Sequence, residues 1–151
     1  MNMMRILLGI LITGLCSLQL VAQEADHNWR EILKEQLPLL GHRNWILVVD
    51  AAYPLQSKAA IKTINTGEEQ LAVVEEVLTI IEKAEHVYPV VFLDKEIDFV
   101  PEKEAKGIEA YKKELFKILN GKSVNKKLHE ELIANIDERL KYSIFWCLKR
   151  I

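Results

Sequence analysis

One short run in the chain, Trp45–Val49, is continuously apolar and rich in β-branched side chains. A run of this length and composition is typical of a strand buried on both faces, as in a parallel sheet. Gly41 and His42 stand shortly before it, and Asp50 follows it directly. Because α/β sheets bind ligands at the ends of their strands, the two ionisable side chains that bracket this run are the first candidates for a functional site.

Helices and strands are predicted to alternate along the rest of the chain. Apolar residues spaced for one buried helical face predict helices over 28–40, 66–81, 101–119 and 130–140, with Gly41 ending the first and Pro101 opening the third. Apolar runs predict further strands over 61–64, 87–93 and 142–148, and residues 124–128 fit either a short strand or a loop. This alternation indicates an α/β fold, which we expect to be a layered α/β/α domain with a mixed, largely parallel sheet.

The first 23 residues have the pattern of a secretory signal peptide, with Arg5 before an apolar core and small residues near its end. This apolar run is too short and too interrupted to cross a bilayer comfortably, so no stable membrane span is expected. A lipoprotein signal using Cys16 is the less favoured alternative, because Leu15 is not the small residue that normally precedes a lipid-modified cysteine. We therefore expect an exported protein, periplasmic or secreted, whose single domain covers residues 24–151.

Composition and motifs argue against several classes of function. The pI near 6.1 and the net charge of −2 give no electrostatic footprint for nucleic acid. The sequence contains no closely spaced metal-ligand pairs, glycine-rich phosphate loop or serine elbow, so we predict neither a metal nor a cofactor. Signal cleavage would leave Cys147 as the single cysteine, which excludes an internal disulfide and is expected to be an inert thiol in an apolar strand.

His42 and Asp50 each have two interpretations. A loop histidine can donate or accept a proton near neutral pH, but loops also carry polar residues that serve only the loop. An aspartate after a strand can bind a ligand, or it can form a turn by bonding to its own backbone.

The order of these residues resembles a known family. Gly41-His42, the spacing of eight positions from His42 to Asp50, and the sequence Asp50-Ala51 followed by Pro54 are similar to the opening motif of the ribose pyranase and fucose mutarotase family (RbsD/FucU). A second segment, Leu128–Leu132, resembles the His-Glu-Gln-Phe segment of the ribose-type members. The resemblance extends over most of residues 24–151 in the order and length of the elements.

The resemblance implies a function and a set of residues. Members of that family interconvert the cyclic forms of free sugars without a cofactor, so His42 would be the catalytic histidine and Asp50 and His129 would bind a monosaccharide. Tyr142 matches the tyrosine of a Tyr-x-Asn motif that contacts sugar, and Tyr53 is a candidate to stack on a sugar face. Trp45 could also stack, although packing in the core is its simpler interpretation. The family forms rings with pockets between subunits, so a homo-oligomer is implied.

Three hypotheses follow from the sequence. The first is a mutarotase-like isomerase. The second is a non-catalytic, exported monosaccharide-binding module on the same fold, which is favoured by Ile144 standing where the family has its asparagine. The third is a structural or interaction protein without a small ligand.

Overall fold

The computed structural model describes residues 28–55, 61–139 and 145–149. The predicted signal segment, His27 and Tyr142 lie outside these ranges. Helices and strands follow one another in the predicted order, with two successive strands between the first two α-helices. The helices are α1 (Trp29–Gln36), α2 (Gln70–Glu82), α3 (Ile108–Ile118) and α4 (His129–Arg139), and the strands are β1 (Trp45–Val49), β2 (Ile61–Asn65), β3 (Val90–Asp94), β4 (Ser123–Lys127) and β5 (Phe145–Lys149).

All strand pairs among the described residues are parallel. Strand β5 lies between β1 and β2, so the last of the described strands occupies the centre of a three-stranded sheet. Strands β3 and β4 form a second pair. The two groups of strands meet where the ring of Trp45 stacks on that of Phe92 with 5.1 Å between centroids. The described part of the chain is therefore α/β with parallel strand pairs, and the apolar run Trp45–Val49 is an edge strand of the three-stranded sheet.

Helix α2 separates two apolar clusters. Val73, Val77 and Ile80 pack with buried residues of α1, of the turn after it and of β2. Leu78 faces the other way and packs with Leu115 and Leu119 at the end of α3. Strand β1 contributes two partly buried residues to the first cluster, while β3 and β4 contribute to the second. Burial of an aliphatic side chain contributes about 1.5–3 kcal/mol to the stability of the fold. Because α2 supplies buried side chains to both clusters, it joins them.

Polar contacts hold α1 against the loop that precedes α2. The Arg30 guanidinium donates to both oxygens of the Glu68 carboxylate over 2.5 and 2.7 Å. The indole Nε1 of Trp29, a side chain that is itself buried, donates to the same carboxylate over 3.1 Å. Asn28 begins α1 as predicted, since its side chain accepts from the backbone N–H of Arg30.

Three predicted helix boundaries are wrong. The second helix begins at Gln70 instead of residue 66, after a turn in which the Thr66 side chain accepts from the backbone N–H of Glu68.

The third helix begins at Ile108 instead of Pro101, because residues 101–107 form turns in which Gly107 takes a left-handed φ of +93°. The Glu102 carboxylate reaches forward to cap this start, accepting from the backbone N–H groups of Gly107 and Glu109.

The first helix ends at Gln36 and continues as a 3-10 turn over Leu37–Leu39. Pro38 lies within this turn, where its missing N–H is tolerated. Gly41 follows the turn and therefore does not end the helix, contrary to the prediction. No helix in the described ranges is long and apolar enough to cross a membrane.

Candidate functional site

His42 lies at the tip of a tight turn. The backbone N–H of Gly41 donates to the Asn44 side chain over 2.7 Å, and the N–H of Asn44 donates to the Gly41 carbonyl over 2.9 Å. This double closure holds His42 and Arg43 at the two central positions, directly before β1. The His42 side chain is exposed and has no hydrogen-bonding partner among the described residues. Its imidazole is thus presented to solvent by a fixed backbone and is available to a ligand.

Asp50 forms a turn at the opposite end of β1. Its Oδ1 accepts from the backbone N–H groups of Ala52 and Tyr53 over 2.9 and 3.1 Å. The turn-forming interpretation is therefore confirmed. Asp50 is nevertheless exposed, and its second carboxylate oxygen accepts no hydrogen bond from the described residues. The turn uses Oδ1 of Asp50, so Oδ2 can accept a hydrogen bond from a ligand. Tyr53, whose N–H takes part in the turn, is half-buried.

A chain of side-chain contacts lies beside Asp50. The Tyr111 hydroxyl donates to Gln70 Oε1 over 2.8 Å, and Gln70 Nε2 donates to the carbonyl of Val48 in β1 over 3.3 Å. Burial raises the pKa of Tyr111, and the negative charge of Asp50 raises it further. Tyr111 is therefore a neutral hydrogen-bonding group near the carboxyl end of β1. The sequence predicted Tyr111 only as a residue of a buried helical face. No sequence pattern indicated Gln70 as a candidate site residue.

His129 forms a second polar cluster, at the ends of β3 and β4. Its Nδ1 lies 2.6 Å from Oδ2 of Asp94, the last residue of β3. Its backbone N–H lies 3.1 Å from both oxygens of Glu96. Burial acts to raise the pKa of Asp94, but hydrogen bonds with Glu96 and His129 outweigh it, so that the pKa is lowered. The sequence did not single out Asp94 or Glu96, because their pairing with His129 depends on the parallel packing of two strands.

Trp45 is used in packing. Its ring stacks on Phe92 with an interplanar angle of 28°. The Lys127 ammonium lies over the Phe92 ring, 5.6 Å from the centroid. The stacking of Trp45 on Phe92 agrees with the interpretation of Trp45 as a packing residue.

His42, Asp50 and His129 are not joined by any contact within the described part of one chain. His42 precedes β1 and Asp50 follows it, so that a strand rising about 3.3 Å per residue separates them by roughly 15 Å. Asp50 and His129 each follow the carboxyl end of a strand. Tyr111, beside Asp50, belongs to the same apolar cluster as Leu93 and Ile97, which flank Asp94. Asp50 and His129 therefore each follow a parallel strand, whereas His42 precedes one.

The described residues contain no group of three or more His, Cys, Asp or Glu side chains placed to hold a metal ion. A shallow concavity of about 230 Å³ lies between α2 and α3, lined by side chains such as Glu75, Thr79 and Lys117. It contains none of the predicted site residues. His42 and Asp50 lie instead on the exposed turns that flank β1.

Comparison of this chain with models of protein families, with curated proteins and with solved structures found no match. Its function is therefore inferred from the chemistry of these turns.

Proposed function

We propose that the chain is a monosaccharide mutarotase of the pyranase type, with His42 as its proton-transfer residue. One observation carries this proposal: the exposed His42 imidazole, which has no polar partner within the described part of the chain, is fixed at a turn before a parallel strand that Asp50 follows. Such an imidazole exchanges protons with a bound ligand at neutral pH. The resemblance of Gly41–Pro54 to the mutarotase motif gives that ligand its class, a free sugar, and the layered α/β/α arrangement is proposed on the same ground.

The reaction needs only proton transfers. A base removes the proton from the anomeric hydroxyl, the electron pair forms the carbonyl, the bond between C1 and the ring oxygen breaks, and an acid protonates that oxygen. Closure on the other face of the carbonyl reverses these steps and gives the other anomer. The imidazole of a histidine can serve as either a general acid or a general base in such a step. The reaction needs no external electron acceptor, because the sugar is neither oxidised nor reduced overall.

Asp50, Tyr53 and His129 are proposed to hold the sugar, together with Tyr142. The free oxygen of the Asp50 carboxylate accepts a hydrogen bond from a sugar hydroxyl, and a charged acceptor forms a stronger bond than a neutral one. The Tyr53 ring offers an apolar face for the C–H groups of the sugar. These groups bind by hydrogen bonding and stacking, which suits a neutral polar ligand.

The separation of His42 from Asp50 bears on the assembly. Since β1 keeps them about 15 Å apart in one chain, the proposed pocket combines His42 of one copy with Asp50 of a neighbouring copy. A ring of copies repeats this head-to-tail contact and closes on itself. We place the mature protein outside the cytoplasm, on the pattern of residues 1–23.

The test is magnetisation exchange between the anomers of a sugar, measured by NMR with and without protein. Wild type is expected to accelerate exchange of at least one of ribose, fucose, galactose and glucose. His42→Ala should lose about 100-fold or more of that rate, the usual contribution of a general acid–base group. Arg43→Ala is the matched control, because it changes the neighbouring exposed position of the same turn and should keep the rate.

A rate that is equal in His42→Ala and wild type would overturn the assignment of His42. No acceleration for any of the four sugars would overturn the catalytic proposal. If calorimetry then showed binding of a sugar, the second candidate, a non-catalytic binding module, would replace it. Ile144, at the position of the family's sugar-binding asparagine, is the observation that favours this candidate.

A further inference from the structure

Strands β3 and β4 bring together an acid and a histidine that are distant in sequence. In their parallel register Asp94 pairs with Lys127, so the two strands end side by side. The chain after β3 turns into a 3-10 helix over Lys95–Phe99, and the chain after β4 enters α4 at His129. The His129 ring therefore meets the Asp94 carboxylate across 35 positions of sequence.

The contacts around this pair fix the His129 ring through Nδ1 and leave Nε2 open to a ligand. Asp94 Oδ1 accepts from the backbone N–H of Glu96, and Asp94 Oδ2 lies 2.6 Å from His129 Nδ1. Since an ionised carboxylate is only an acceptor, the proton between them belongs to Nδ1 of His129. Nε2 then carries a lone pair in the neutral ring and has no partner among the described residues.

The choice of partner is selective. Lys127 is the register neighbour of Asp94, yet its ammonium lies over the Phe92 ring. Lys126 is paired with Asp98 over 2.6 Å. Asp94 thus contacts a histidine although two lysines are adjacent. The pair is also exposed, at 60% for the His129 side chain and 41% for Asp94, and such exposed pairs contribute little to folding.

We propose that Asp94 is a positioning residue that holds His129 with Nε2 directed at the substrate, and that His129 is a second proton-transfer group. This inference rests on the proposed mutarotase function and deepens it. Nε2 accepts the proton of one sugar oxygen as His42 donates a proton to the other, so ring opening leaves the total number of protons unchanged. The carboxylate of Asp94 stabilises the imidazolium that forms in between, as a fixed negative charge beside a developing positive one.

Two measurements on Asp94→Asn test the inference. Asparagine keeps the capping contact with the Glu96 N–H, because it is as good a cap as aspartate, but it removes the charge. The rate of anomer exchange should fall on the order of tenfold or more, with His129→Ala losing more than Asp94→Asn. In proton–nitrogen correlation spectra of the imidazoles, wild-type His129 should carry its proton on Nδ1, and the variant should shift toward the Nε2–H tautomer.

Asp98→Asn is the matched control, because it removes a carboxylate of the same 3-10 segment that pairs with Lys126 instead of His129. It should change neither the rate nor the tautomer. An active wild type together with an Asp94→Asn protein of equal rate and unchanged tautomer would overturn the inference and leave the proposed function standing. If wild type shows no exchange, the proposed function and the proton-transfer role of His129 both fail, and the tautomer alone decides whether Asp94 positions the ring.

Discussion

For single residues, the role of a side chain depends on which hydrogen-bonding partners the fold places beside it. Sequence placed His42 in a loop before a buried strand and gave Asp50 a choice between turn and ligand. The structure shows the turn contacts and an exposed carboxylate together. Gln70 and Tyr111 could not be predicted as a pair, because they are 41 positions apart and meet only when α3 packs against α2.

The charge of Glu68 contributes to stability through the contacts of its carboxylate with Arg30 and Trp29. Its hydrogen bonds with Arg30 and Trp29 lower its pKa below the ordinary 4.5. A group with a lowered folded-state pKa stabilises the fold above its unfolded-state pKa, and this contribution is lost as the pH falls through the folded-state value. Glu68→Gln should therefore lower the free energy of unfolding at pH 7 by about 1 kcal/mol, and the loss should shrink below pH 4.

Urea unfolding at pH 7 and pH 3.5 measures both effects. Glu35→Gln is the control, since Glu35 is an exposed carboxylate of the same helix without a partner among the described residues. An equal loss for Glu68→Gln at both pH values would show that its charge is not the cause.

At the scale of elements, residue patterns predicted the order of helices and strands better than their ends. Every predicted helix and strand has a counterpart among the described elements, and residues 124–128, left open between strand and loop, correspond to β4. The helix expected from Pro101 begins seven residues later. Proline favours the first turn of a helix, but here Gly107 and the cap from Glu102 set the start. A cap in which a side chain contacts the backbone five residues later has no local sequence pattern that would predict it.

Gly107→Ala tests how the start of α3 is fixed. A left-handed backbone costs a residue with a Cβ about 1–2 kcal/mol, so thermal unfolding should show destabilisation of that size. Gly41→Ala is the control, because the φ of Gly41 is not positive and an added Cβ would meet nothing within 4 Å. A stability loss as large for Gly41→Ala as for Gly107→Ala would contradict the conformational explanation.

At the scale of the whole molecule, the sequence predicted an α/β fold, but the pairing of strands required the structure. Strand β5 lies between β1 and β2, so the first and last of the described strands pair with each other. Local hydrophobic periodicity does not predict a pairing between segments so far apart in sequence. Several large apolar side chains remain exposed on the described surface, among them Leu55 at 78% and Phe99 at 73%.

A pocket shared between copies makes a specific prediction about mixtures. His42→Ala and Asp50→Asn proteins should each be slow, and asparagine should keep the turn that Asp50 forms. When the two are unfolded together and refolded into mixed oligomers, about a quarter of the pockets should combine an intact His42 with an intact Asp50 and recover activity. Each variant treated alone is the control. No recovery in oligomers shown by light scattering to be mixed would contradict the shared pocket.

The most direct test of the central claim is the rate of anomer exchange catalysed by wild type and by His42→Ala under the same conditions. Wild type should accelerate exchange of at least one free monosaccharide, and His42→Ala should lose about 100-fold or more of that acceleration, with Arg43→Ala unchanged. A wild type that leaves the spontaneous rate of all four sugars unaltered, or a His42→Ala protein as fast as wild type, would contradict the claim.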